Sequence, residues 1–382
     1  MQEPGYVTPE HLMPCGQLPR FIAGEPASRA AGETRALVTG GSRRNARRIA
    51  CARARIVPAQ RGKLVNRTCQ QFHSGSASIG QTAAEDEPMR AAAAAALATL
   101  LLMATATQAR LREELIDVAV EVTDGYGKVL RHTIKVTVFS DSANAGPAPV
   151  LVINHGRPAA PEMRARYGRA RYFDASRFFV QQGFIVAVPT RMGYGVTGGD
   201  DVEDTGDCGK KNYAPSYAAA TQQTLAVLDV VRSRADADKD RVVVVGDSFG
   251  GATAASLAAL NPPGVRAAIN FAGGGGADPK TQSQRPCAPA QLEHMFRIHG
   301  RTARVPMLWI YTENDMFMGP RYPKEWFAAY VREGAPAEFV QYPPLGEDGH
   351  GLFTRFPEVW IPKVIEFLQA QGFQSRASKD KG

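Results

Sequence analysis

The sequence predicts an α/β protein, with a mostly parallel central sheet covered by helices on both faces. Three observations predict this. From residue 114 onward, short apolar runs alternate with amphipathic stretches, which is the signature of repeated strand–helix units. The first two of these segments, 115–122 and 129–139, alternate apolar and polar residues instead, as half-buried antiparallel strands do. Four consecutive valines at 242–245 then run straight into a glycine-rich turn, as a strand covered on both faces does before a tightly packed helix. At 44% hydrophobic over 382 residues, the chain can furnish the core such a sheet needs.

The elements follow in order. A DGYGK turn joins the first two strands. Residues 150–154 form a short apolar run, read as a buried strand. Residues 161–183 read as one helix, with Phe173, Phe178, Phe179 and Val180 on its inner side. Another buried strand is expected at 184–189. A long helix follows at 213–235, with Leu225, Val227, Leu228, Val230 and Val231 marking its core side. Then come the valine strand at 241–245, a helix at 250–260, strands at 265–271 and 305–311, a helix at 323–334, a strand at 338–342 and a last helix at 357–371. Segment 273–303 breaks the rhythm. It is polar, Gly-rich and Pro-containing, and it reads as a lid inserted over the carboxyl edge of the sheet.

The net charge of +8 is unevenly spread. Residues 1–88 carry 12 Lys and Arg against 7 Asp and Glu; the remaining 294 residues carry 33 against 30. The folded part therefore has no basic, aromatic-laced surface of the kind that binds nucleic acid. Residues 89–109, MRAAAAAALATLLLMATATQA, have a minimal positive start, an uncharged apolar run and small residues for cleavage. That is the layout of a secretory signal peptide, and the run is weak for a membrane span. A buried Ala-rich helix and a retained N-terminal anchor are the alternatives. The expected organisation is a leader or mis-assigned start at 1–88, a signal peptide at 89–109, one domain at 110–375 and a tail at 376–382. Export implies a secreted or periplasmic protein with no lasting membrane partner. Only Cys208 and Cys287 follow Ala109. An even pair in an exported chain suggests one disulfide, with two free thiols as the alternative.

The strongest chemical signal is VVVVGDSFGGATAA, residues 242–255. It holds a G-x-S-x-G pentapeptide between a buried strand and a small-residue helix, the context that presents a serine on a sharp turn. Ser248 is the expected nucleophile. The Phe249 N–H at the helix start is the expected first donor to a developing oxyanion. A serine hydroxyl needs an adjacent base. His350, in GEDGHGLF after the last strand, has glycines on both sides that leave it room to reach the serine. Asp315 ends the apolar run PMLWIYTEND and is the expected partner of the imidazole. Glu313, two residues earlier, is the alternative.

VLVINHGRP, GDSFGG, IYTENDMF and GHGLF, in this order, resemble the α/β-hydrolase superfamily, in its dienelactone-hydrolase-like and prolyl-oligopeptidase-like branch of secreted bacterial hydrolases. The resemblance covers about residues 114–372. It implies an eight-stranded, mostly parallel sheet, and a second oxyanion N–H from Gly156 or Arg157 with His155 structural in that turn. Dienelactone hydrolases proper use a cysteine nucleophile, whereas this chain has Ser248, which points to ordinary ester or amide hydrolysis. PTRMGYGVTGGD, residues 189–200, is similar to the Arg-Gly-x-Gly loop of dipeptidyl-peptidase-like and cocaine-esterase-like relatives. That similarity places Arg191 and Tyr194 in the substrate pocket.

The leading expectation is a carboxylesterase that needs no cofactor or metal and acts on a small-molecule substrate. A serine peptidase of the dipeptidyl- or acylaminoacyl-peptidase kind is second. A non-catalytic binding protein on the same scaffold is third. Oligomeric state is not encoded in any of these patterns.

Overall fold

The computed structural model describes residues 111–374, apart from 145, 159 and 277. The expected leader, signal peptide and tail lie outside the described residues. An eight-stranded sheet runs in the order β1-β2-β4-β3-β5-β6-β7-β8. β1 (Leu111–Thr123) pairs antiparallel with β2 (Val129–Asp141), and β2 pairs antiparallel with β4 (Ile185–Thr190). The other pairings are parallel and join β3 (Ala148–Asn154), β5 (Ala237–Asp247), β6 (Val265–Phe271), β7 (Met307–Thr312) and β8 (Ala337–Tyr342).

The central strands alternate their side chains between two cores. Val150, Val152, Val242 and Val244 enter one; Leu151, Ile153, Val243 and Val245 enter the other. All eight are fully buried, which is why these strands read as unbroken apolar runs. The first core is closed by α3 (Tyr213–Arg232), α4 (Phe249–Ala258), α5 (Pro289–Thr302) and α6 (Tyr322–Arg332). The second is closed by α2 (Phe173–Gln181) and by α7 (Leu352–Arg355) and α8 (Pro357–Ala370), where Trp360 stacks on Phe179. Full burial of one such aliphatic side chain contributes about 1.5–3 kcal/mol.

Two expectations are corrected. The single helix read at 161–183 is two helices, α1 (Pro161–Ala165) and α2. Gly168 (φ 75°) and Tyr172 (φ 42°) take left-handed backbone conformations between them and end helical continuity. The segment read as a lid contains α5, whose Leu292, Met295 and Phe296 are buried core residues. Charged residues on its outer face masked that stripe. Cys208 and Cys287 form a disulfide between the loop that leads into α3 and the loop that leads into α5. Among the described residues, no helix is long and apolar enough to cross a membrane.

The topology creates one privileged place. β3 leads to β4 on one side, while β5 lies on the other side of β3. The loops after β3 and β5 therefore diverge, and ligands bind in such crevices at the carboxyl ends of the strands. The strands are in register there: Asn154 pairs with Gly246, and Gly246 pairs with Asn270.

Candidate active site

The turn from β5 into α4 is steric necessity made visible. A Cβ on Gly246 would sit 1.9 Å from the Gly250 carbonyl oxygen, and one on Gly250 would sit 2.0 Å from that of Asn154. Only glycine fits either place. Between them Ser248 adopts φ 56°, ψ −120°, a conformation L-residues avoid. Its N–H is tied to the Phe271 carbonyl at 2.8 Å, and its carbonyl accepts from Gly251 at 2.8 Å. The backbone is thus fixed on both sides of the hydroxyl.

Three distant residues meet at this point. His350 Nε2 lies 3.0 Å from Ser248 Oγ. His350 Nδ1 lies 2.9 Å from Asp315 Oδ2 and 3.0 Å from Oδ1. Asp315 is fully buried, and its Oδ1 accepts the N–H groups of Phe317 (2.8 Å) and Met318 (2.9 Å). Glu313, the alternative, is exposed. Asp348 Oδ1 accepts from His350 N (2.9 Å) and Met316 N (3.1 Å), clasping the two loops together. Asn314 adds bonds to Leu345 and Gly346 of the histidine loop. The Phe317 ring lies over His350, with centroids 4.3 Å apart.

Electrostatics follow from this crowding. Burial disfavours the imidazolium form of His350. The Asp315 carboxylate, then those of Asp247 and Asp348, outweigh burial and push its pKa up to about 9. Asp247 is itself raised to about 6, chiefly by burial; His350 and a hydrogen bond from Tyr172 oppose the rise, and Asp315 adds to it.

Across from the histidine stands the turn His155-Gly156-Arg157. A Cβ on Gly156 would lie 3.2 Å from Ser248 Cβ and 3.8 Å from its Oγ, so this backbone borders the hydroxyl closely. The Gly156 N–H donates to the Tyr172 hydroxyl at 3.3 Å, and that hydroxyl donates to Asp247 Oδ2 at 3.0 Å. Among the described residues, no hydrogen-bond acceptor takes the N–H of Phe249 or of Arg157.

Arg191 and Tyr194 do not line the pocket as expected. Both are fully buried. Arg191 Nε bonds Glu203 Oε1 at 2.5 Å, and Tyr194 OH donates to Glu203 Oε2 at 2.5 Å. The buried Glu203 drew them inward, since an unpaired carboxylate there would be costly. Glu203, Asp201, Tyr172 and Asp348 were not found from sequence. The acidic run GGDDVEDTGD just after Arg191 was the available signal for the first two.

A model of the dienelactone hydrolase family matches residues 162–364. Among solved structures, an acetyl xylan esterase from Paenibacillus sp. R4 is similar at 18% identity and TM-score 0.46, covering 76% of this chain and 96% of that one. Acetyl xylan esterase 1 from Thermoanaerobacterium sp. is similar at 16% and TM-score 0.46, covering 68% and 88%. The acylaminoacyl peptidase of Pyrococcus horikoshii is similar at 14% and TM-score 0.48, covering 70% of this chain but 42% of its own. No curated protein matches the chain.

Proposed function

The chain belongs to the dienelactone hydrolase family, hydrolases of the α/β-hydrolase fold, and on that premise we propose that it cleaves carboxylic esters through a Ser248 acyl-enzyme. The observation that carries this reading is the unbroken hydrogen-bonded chain from Ser248 Oγ through His350 to Asp315. Ser248 Oγ attacks the ester carbonyl while His350 Nε2 takes its proton. Asp315 holds the ring with Nδ1–H inward and stabilises the imidazolium. The Phe249 N–H is one oxyanion donor. Gly156 already spends its N–H on Tyr172, so Arg157 N–H is the second. Collapse of the tetrahedral intermediate expels the alcohol, which leaves with the proton from His350. Water, deprotonated by the same imidazole, attacks the acyl carbon and releases the carboxylic acid and Ser248.

The amide-cleaving reading rested on the resemblance of the loop at 189–200 to peptidase relatives, which put Arg191 in the substrate pocket. A fully buried Arg191 paired with Glu203 removes that support, and esters remain the better-supported class. Export fits the Cys208–Cys287 disulfide, a bond that persists in oxidising compartments.

The test is direct. Purified protein should hydrolyse p-nitrophenyl acetate and react with a fluorophosphonate probe. Ser248→Ala should lose labelling and ~10⁴- to 10⁶-fold in kcat. Equal labelling or equal turnover in the variant would refute the assignment.

A further inference from the structure

The turn that carries Arg157 belongs to no helix or strand, yet a donor N–H must be aimed within a few tenths of an ångström to serve an oxyanion. What aims it is a cluster of charges that the reaction does not consume. Arg157 forks onto Asp201, with Nη1 at 2.7 Å from Oδ1 and Nη2 at 2.6 Å from Oδ2. The same guanidinium reaches the Tyr194 hydroxyl at 3.0 Å and Glu203 at 3.5 Å. Arg164 joins Asp201 at 2.8 Å and donates to the Pro158 carbonyl at 3.2 Å. Arg191, held by Glu203, donates Nη1–H to the His155 carbonyl at 2.8 Å and its backbone N–H to His155 Nε2 at 3.1 Å.

The tautomer of His155 follows. Its Nε2 accepts from Arg191, so Nδ1 carries the hydrogen and donates to the Gly156 carbonyl at 2.7 Å. Burial, then the nearby Arg191 and Arg157 charges, hold its pKa well below the ordinary range, so it stays neutral. His155 is thus gripped by Arg191, Gly156 by His155 and Pro158 by Arg164, while Arg157 is itself held by Asp201, and all three arginines converge on two carboxylates. Glu203 is fully buried and Asp201 is 24% exposed. Val202 between them is buried in the core, which anchors both acids to the fold rather than to a mobile rim.

Building on the ester-hydrolase reading, we propose that Asp201 and Glu203 are positioning residues that hold the His155–Gly156–Arg157 turn so that Arg157 N–H faces the oxyanion. Removing either charge leaves buried guanidinium groups undercompensated beside one another. The turn then relaxes, and the loss falls on the transition state rather than on substrate binding, because the oxyanion exists only there.

The experiment compares Asp201→Asn and Glu203→Gln with the native chain. Turnover of p-nitrophenyl acetate is normalised to active sites titrated with a fluorophosphonate. Affinity for an aryl trifluoromethyl ketone, which forms an oxyanion when serine adds to it, is measured alongside. The expected result for Asp201→Asn is a ~10-fold fall in kcat per titrated site, with an equal weakening of the ketone and KM within threefold; for Glu203→Gln the fall reaches ~100-fold. Should Glu203→Gln not fold, the partly exposed Asp201 carries the test alone. A loss seen only in the number of titratable sites, or kcat and ketone affinity both within twofold of native, overturns the proposal. Ser248→Ala run in parallel separates the two ideas. If it is inactive while Asp201→Asn is unchanged, the positioning role fails and the ester reading stands; if it is active, the ester reading itself fails.

Discussion

On one side of the Ser248 hydroxyl, His350 and Asp315 are held mainly by backbone N–H groups: those of Phe317 and Met318 on Asp315, and those of His350 and Met316 on Asp348. On the other side, the turn from His155 to Arg157 is held by side chains arriving from 36 to 46 residues away. In the proposed mechanism the first arrangement tunes a proton affinity and the second a position. Neutral backbone donors suit a carboxylate that must be held in place beside an imidazole. Paired charges with forked geometry suit a turn that must not drift.

Breaking the first side has the larger consequence. Asp315→Asn keeps the shape but lets the imidazole take the wrong tautomer, and kcat should fall ~10⁴-fold; a stopped-flow or steady-state assay would reveal it, and a loss below tenfold would contradict the role. The second side responds to crowding. Gly156→Ala places a methyl 3.2 Å from Ser248 Cβ, so the turn must shift. A displacement of that order costs ~10- to 100-fold in kcat, and a variant as active as the native chain would show that the turn has slack.

Acidity sharpens the contrast further. In the proposed mechanism His350 must be neutral to accept a proton, and its pKa stands at about 9. Rates should therefore climb with pH through about 9 and fall tenfold per unit below it. Asp348→Asn removes one of the carboxylates that raise this value while its amide oxygen can still cap His350 N. The rising limb should move to lower pH, so that the variant outpaces the native enzyme at neutral pH; Asp201→Asn should leave the limb where it is. The same shift bears on stability. A folded pKa above the ordinary value of 6.5 stabilises the protein fully below about pH 6.5, and that contribution is lost as pH rises through about 9. The smallest effect on turnover is expected at the disulfide. Cys208→Ser opens a link across 79 residues, which should lower unfolding free energy by about 2–5 kcal/mol in denaturant titrations while kcat stays within a few-fold.

How much of this was legible depends on range. The β5–Ser248–α4 unit is encoded by neighbours: valines, then glycines that nothing else can replace, then small helix residues. Asp315 and His350 were findable because each follows a strand that delivers it to the same edge. The α5 helix was hidden because His294, Arg297, His299 and Arg301 dilute a stripe that Leu292, Met295 and Phe296 still form. Arg191 and Tyr194 were misplaced for a different reason. An arginine in a glycine-rich loop looks solvent-facing until its buried partner is known, and Glu203 announces itself only once the chain has folded around it.

The conformation of Ser248 has one more implication. At φ 56°, ψ −120° every L side chain meets a comparable penalty, about 1–3 kcal/mol for such a backbone, and glycine alone would escape it. The residue most comfortable at that corner is the one with nothing to attack with. Selection for robustness and selection for turnover therefore oppose each other at a single α-carbon, and a lineage that gave up chemistry could shed that strain by losing one hydroxymethyl group.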